Sequence, residues 1–253
     1  SKDATALAKG TLYHSIVEDA TVFQKDTGMA VEIETLQADL AGRWPEAGRA
    51  YLKESEDKEK RDKDSLNPAL KAFAEWTGTT KNKVVETEFY FSTNIGGMKF
   101  TGKIDRIDMN SEGDFEIIDY KTGGKNKVID KVNESLQLNL YAIAVREEIQ
   151  KKRPFEKDVP AGEDWSKKTV KRASFFYPEK EHSNVDSATG KAEGQWFDYE
   201  VNDTDIDIAR KKIEEYLDDI KNMKFDAEPS EFGCKYCDYN DICDESEATK
   251  KWR

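Results

Sequence analysis

The chain has 253 residues, with 52 acidic and 40 basic side chains and a net charge of −12. That balance excludes a protein that coats nucleic acid through a broad basic face. Aromatic residues at 11% argue for a folded core rather than disorder, and the length fits one elaborated domain or two small ones.

Residues 3–26 read as a helix, with Leu7, Leu12, Ile16, Ala20 and Phe23 recurring at helical spacing. A second helix is expected over about 33–60, ending in the charged run Glu54–Asp64, a solvated face. Asn67-Pro68 reads as an N-cap followed by proline at the first position of a third helix, which carries Leu70, Phe73 and Trp76. At Val84 the character changes. Val84–Ser92, Met98–Met109 and Phe115–Thr122 are rich in β-branched and aromatic residues. The turn signals Asn94-Ile95-Gly96-Gly97 and Asn110–Asp114 separate them. Three strands on short turns predict an antiparallel meander.

Gly123-Gly124 ends the third strand. A helix over about 130–152 follows, with Val132, Leu136, Leu140, Ile143 and Ala144 on its expected buried side. Val170–Tyr177 and Gln195–Val201 read as two more strands, joined through a flexible polar hairpin loop, 178–194. An amphipathic helix over about 204–223, with Ile208, Ile213, Leu217 and Ile220, precedes an irregular tail. No apolar run is long enough to cross a bilayer, and no secretory signal is visible. No phosphate-binding loop of the G-x-x-x-x-G-K-[ST] type occurs, so ATP-driven unwinding would need a partner.

The chemistry concentrates in Gly102-Lys103-Ile104-Asp105-Arg106-Ile107-Asp108 and Ile117-Ile118-Asp119-Tyr120-Lys121-Thr122-Gly123. Asp105 and Asp119 on neighbouring strands make a hard-cation site suited to Mg²⁺ or Mn²⁺. Lys121 lies two residues beyond Asp119, on the same face at a strand end. There it can orient a water activated by the cation. An isolated D-x-K would more simply be a salt-bridged strand pair. Glu86 and Glu88 also share a strand face, and one of them is a candidate to hold metal or water. His182, in the polar loop, carries no assignment. Lys121, Lys125 and Lys127 form a local basic cluster able to meet phosphates.

The pattern as a whole resembles the PD-(D/E)XK nuclease superfamily, in its RecB-like branch. The matching stretches are Gly10-Thr11-Leu12-Tyr13-His14 with Glu18, the two segments above, and Gln137-Leu138-Asn139-Leu140-Tyr141, in the family's order. The resemblance implies an α/β restriction-endonuclease-like core: a helix, an antiparallel three-strand meander, a helix and a strand. It implies a nuclease domain over 1–224 with a helical insertion at about 30–80. It also implies that His14, Asp105, Asp119 and the Tyr120 carbonyl hold the metal, that Asp105, Asp119 and Lys121 are catalytic, and that Gln137 and Tyr141 line the DNA side. The branch implies an exonuclease on single-stranded DNA or DNA ends, serving recombination, repair or phage DNA processing. A helicase or recombination partner fits that setting, in bacterial or host-cell cytoplasm. A structure-selective endonuclease with the same site, and a catalytically silent DNA-binding or assembly subunit, are the rival readings.

The tail, 225–253, contains Cys234, Cys237 and Cys243, all three cysteines of the chain. Clustered thiolates suit zinc or an iron–sulfur cluster rather than a secreted disulfide framework. A zinc-dependent interaction module built on the tail would leave the meander motifs unexplained. By the same resemblance the three are ligands of a 4Fe–4S cluster that pins the tail to the nuclease domain. No cysteine precedes His14, so the fourth ligand is expected before Ser1 or from another residue type, if the site is filled.

Overall fold

The structure is a computed structural model. It describes residues 2–123, 129–151, 155–159, 161–182, 184–224 and 229–230, together with 233, 234, 243 and 245. The chain divides into two compact units, 1–210 and 211–253. The sheet, the helices that precede it, α5 and the candidate site belong to the first unit.

Five strands form one mixed sheet in sequence order: β1 (Lys83–Ile95), β2 (Met98–Met109), β3 (Phe115–Tyr120), β4 (Val170–Phe176) and β5 (Trp196–Glu200). The meander β1–β2–β3 is antiparallel, as expected, β3 and β4 are parallel, and β5 returns antiparallel. A parallel step needs a crossover. Helix α5 (Leu136–Gln150) supplies it, capped by the Ser135 hydroxyl accepting from the Leu138 amide. Gly96 and Gly97, both at positive φ (58° and 79°), make the two-residue turn that joins β1 to β2. Such a turn needs left-handed backbone at both positions, which glycine adopts without strain.

Four helices precede the sheet: α1 (Lys2–Thr27), α2 (Ile33–Ala47), α3 (Glu56–Asp64) and α4 (Leu66–Thr79). Leu12, Tyr13, Ile16, Val17 and Ala20 of α1 share one core with Leu36, Leu40, Trp44, Leu70, Phe73 and Trp76. That core closes on Ile118, Tyr120 and Phe176 of the sheet. Arg106 anchors the layer. Its guanidinium is fully buried, grips Asp108 through two bonds of 2.6 and 3.0 Å, donates to Gln24 Oε1 of α1 at 2.9 Å, and lies 4.6 Å from the ring of Trp76 in α4. One strand side chain thus ties two helices to the back of the sheet.

Several expectations need correcting. The single helix over 33–60 is two helices with a short 3-10 turn (Gly48–Tyr51) after the first. The break falls where Ser55 caps α3 by accepting from the Lys58 amide. Helix α4 begins at Leu66, so Pro68 is its third residue and Ser65, not Asn67, is its N-cap. On α1, Leu7 and Phe23 are exposed, and Tyr13 and Val17 take the buried positions instead. On α5, Leu136 and Leu140 are only half-buried, while Leu138, Tyr141, Ala142 and Val145 face the core. On the last helix, α6 (Asp203–Lys221), Ile208 is exposed and Ile206 is buried. The third strand stops at Tyr120, leaving Lys121 to Gly123 beyond its end. Within the polar stretch 178–194, Val185 and Ala192 form an antiparallel bridge.

Candidate active site

Asp105 is the point where the site converges. It lies on β2, and its Oδ2 accepts from the Tyr120 amide of β3 at 2.7 Å. Its other oxygen stands 3.6 Å from Nδ1 of His14. Helix α1 delivers that histidine. Tyr13, fully buried, anchors the helix, and the His14 ring stands edge-on to Tyr120 with centroids 6.1 Å apart. Gly10, one turn earlier, lets the helix pass close to the strand-3 end: a Cβ there would meet Thr122 Oγ1 at 3.0 Å.

Asp119 and Lys121 stay together although the strand ends between them, with Lys121 Nζ 2.6 Å from Asp119 Oδ2. Gln137 of α5 joins the pair. Its amide nitrogen donates to Asp119 Oδ1 (3.2 Å) and contacts the Tyr141 hydroxyl (2.9 Å), while its carbonyl oxygen accepts from Lys121 (3.0 Å). The one-turn spacing of Gln137 and Tyr141 therefore has a use: one residue fixes the lysine and the aspartate, and the other fixes that residue.

Glu88 resolves the choice between Glu86 and Glu88. The two-residue turn sets the pairing, and the flanking pairs Thr87↔Arg106 and Phe89↔Ile104 put Glu88 across from Asp105. His14, Glu88 and Asp105 each offer a ligand atom within 4.8 Å of the others. Glu86 pairs instead with Lys25 at 2.8 Å and Lys157 at 3.6 Å. The register needed to find Glu88 was already present in the Gly96-Gly97 turn. Glu179 is different, because nothing local announces it. This buried residue accepts from Lys9 of α1 (2.6 Å) and from the Gly123 amide (2.8 Å), so it ties the end of β3 to the helix that carries His14.

The electrostatics identify a site that opposes its own charge. Burial, then the neighbouring Asp105 carboxylate, pushes the pKa of Asp119 up to about 6, against the pull of Lys121 and His14. For His14, burial works against protonation, but the carboxylates of Asp105, Asp119 and Glu88 outweigh it and raise the pKa. Like charges facing each other across two strands are destabilising. Glu88 also sits at φ 49°, a left-handed conformation that L side chains adopt at a cost. Lys103 pairs with Glu88; a hard divalent cation would answer the whole cluster, because carboxylate and imidazole donors suit it and its charge offsets the repulsion. The residues fit such an ion.

Aspartates on adjacent strands, a lysine two residues on and a histidine brought in by a helix are the parts of a metal-dependent hydrolase. The chain belongs to the PD-(D/E)XK nuclease superfamily, whose family model matches residues 1–244. Nucleases of this superfamily use divalent metals such as Mg²⁺ or Mn²⁺. Among solved structures, the protein SSO0001 is 18% identical, with 83% of this chain and 78% of that one covered at a TM-score of 0.38. A second, described as "Putative exonuclease" from Eubacterium rectale, is 12% identical, with 98% and 79% covered at a TM-score of 0.44. No curated protein matches the sequence.

Cys237, Lys125 and Lys127 lie outside the described residues, while Cys234 and Cys243 are half-buried. Among the described residues, no helix is long and apolar enough to cross a membrane.

Proposed function

We propose that the chain is a DNA exonuclease of the RecB-like branch, acting on single strands or DNA ends. His14, Asp105, Asp119 and the Tyr120 carbonyl would hold a divalent cation, with Glu88 as a further donor. When bound, the cation would neutralise charge on the scissile phosphate and lower the pKa of a water so that hydroxide is available as the nucleophile.

The protein's own groups do the rest. Lys121 commits one contact to Asp119 and one to Gln137, and an ammonium has three donors. The ammonium lies 5.1 Å from the Phe175 ring centre, and its third donor can hold the attacking water or a non-bridging phosphate oxygen. Gln137 keeps the lysine aimed, and Tyr141 backs Gln137 on the side assigned to substrate. Burial of Asp119 keeps the surroundings low in dielectric, which strengthens each of these contacts.

The observation that carries the reading is the Asp119–Lys121–Gln137 triangle next to the His14–Glu88–Asp105 cluster, in a chain of this superfamily. The test is cleavage of end-labelled single-stranded DNA with Mg²⁺ or Mn²⁺, beside a circular single strand. Loss of the linear substrate and survival of the circle are expected. Equal cutting of both would make the enzyme an endonuclease, and no cutting of either would leave a silent DNA-binding subunit. The proposal extends to a 1–224 nuclease domain bearing a tail with a 4Fe–4S cluster on Cys234, Cys237 and Cys243. Iron and acid-labile sulfide content of anaerobically purified protein tests that part.

A further inference from the structure

The β1–β2 hairpin continues outward from the metal-binding cluster, and strand alternation gives its two faces different characters. Phe91, Thr93 and Ile95 are buried; Tyr90, Ser92 and Asn94 are exposed. The partners of these exposed residues are Lys103, Thr101 and Lys99, also exposed. Glu88 and Asp105 occupy the same outward register one step further in, so a single face of the ribbon begins at the candidate cation donors and runs out through Tyr90–Lys103, Ser92–Thr101 and Asn94–Lys99. At about 3.3 Å per residue, the face from Glu88 to Asn94 is roughly 20 Å long.

Its chemistry sets it apart from the rest of the molecule. The chain carries a net charge of −12, yet these six exposed positions hold two lysines, hydroxyls, an amide and no carboxylate. Tyr90 is 67% exposed, the most exposed aromatic ring among the described residues. Lys103 is 56% exposed and is held at its inner end by an ion pair with Glu88. An open aromatic ring beside backbone-tracking lysines is how proteins grip unpaired nucleic acid: the base stacks and the ammonium meets its phosphate.

We propose that this hairpin face is the track along which a single DNA strand enters the site. A base stacks on Tyr90, Lys103 and Lys99 each hold a phosphate of the strand, and the scissile bond falls beyond Lys103, at Asp105. The inference rests on the nuclease reading and adds to it a substrate form: the strand must be unpaired where it crosses Tyr90.

The test measures binding of the full chain to a 5′-fluorescent oligodeoxythymidine and to a blunt duplex of the same length, with Ca²⁺ to hold off cleavage. Cleavage by each protein in Mg²⁺ is measured in parallel. Tyr90→Ala should weaken single-strand binding by about 10-fold, within the roughly 5- to 150-fold span of one lost base stack, and leave duplex binding alone. Tyr90→Phe should keep the wild-type affinity. Lys103→Ala should lower the slope of log affinity against log salt by about 0.7. A 5-iodouracil strand should photo-cross-link to the peptide containing Tyr90. If Tyr90→Ala binds single strands as the wild type does and no cross-link forms, the track is wrong, while a wild type that still cuts DNA keeps the nuclease reading. If the wild type neither binds nor cuts DNA, the nuclease reading falls and this inference with it.

Discussion

Replacing Asp119 by asparagine removes a charge that the fold holds against its own preference. The carboxyl is buried, and its pKa stands at about 6, against an ordinary aspartate value near 3.9. A carboxyl whose pKa is raised on folding contributes most stability below its unfolded value, and that contribution is lost as pH rises through the folded value. Without a cation, the wild type should therefore lose up to about 3 kcal/mol from this group between roughly pH 4 and pH 6. Asparagine has the shape of the protonated acid and cannot ionise. The raised value already includes the pull of Lys121, so the gain above pH 6 is of the same size, about 1–3 kcal/mol. In a chain of this size each kcal/mol is worth about 2–4 °C of melting temperature.

The assay is thermal unfolding followed by circular dichroism, in EDTA and in Mn²⁺, at pH 8 and at pH 4.5. In EDTA at pH 8, Asp119→Asn should melt several degrees above the wild type, and at pH 4.5 the two should converge. Mn²⁺ should raise the melting temperature of the wild type, by an amount that grows with the ratio of Mn²⁺ concentration to its Kd, and that of the variant by much less. A variant that melts below the wild type in EDTA at pH 8 would refute the reasoning. It would mean that the Lys121 and Gln137 contacts outweigh burial and the Asp105 repulsion, so that the aspartate serves the fold before it serves a cation.

Lys121→Ala should cut single-turnover cleavage by about 10²-fold or more while keeping the Mn²⁺-induced rise in melting temperature, which separates a chemical role from a ligand's role. Glu88→Gln should move the Mn²⁺ concentration needed for that rise upward by about 10-fold or more, and Glu86→Gln, whose partners are Lys25 and Lys157, should leave it in place. Arg106→Met should destabilise the fold by about 3–5 kcal/mol in denaturant titration, because Asp108 is left buried and unpaired, and Arg106→Met with Asp108→Leu should recover most of the loss.

The meander was legible because its signals are local. β2 begins and ends where composition and turns place it, and the Asp119/Lys121 spacing survives even though the strand stops at Tyr120. Helix faces were less legible. Helix α1 packs one stripe against α2, α4 and the sheet while its His14 side meets Asp105. Periodicity finds an apolar stripe but not how a helix divides its surface between a core and a site, so it puts Leu7 and Phe23 inside. The charged run before Asp64 reads as a continuation of the same helix, and the signals of the break, Pro45, Gly48 and Ser55, lie at or ahead of its start. Arg106 and Glu179 were out of reach for another reason. Their partners are Asp108 with Gln24, and Lys9 with Gly123, and most of these are far along the chain, where no spacing rule applies.

The site draws on three different kinds of backbone geometry, and each delivers a residue to Asp105. A tight antiparallel turn sets Glu88 opposite it. The β2–β3 pairing lets it take the Tyr120 amide, which fixes the start of the Tyr120–Lys121 segment. A helix passing close at Gly10 brings His14 to its other oxygen. The parallel crossover then adds Gln137, which reaches Asp119 and Lys121 rather than Asp105. Three of the candidate cation donors, His14, Glu88 and Asp105, are thus centred on one strand, whereas Asp119 shares Gln137 with Lys121. A change in α5 therefore disturbs Asp119 and Lys121 together without touching the other three, whereas a change in the hairpin turn shifts Glu88 out of register and leaves the lysine aimed. That division is the physical reason to expect hairpin variants to weaken metal binding with Lys121 still in position, and α5 variants to act on both through Asp119.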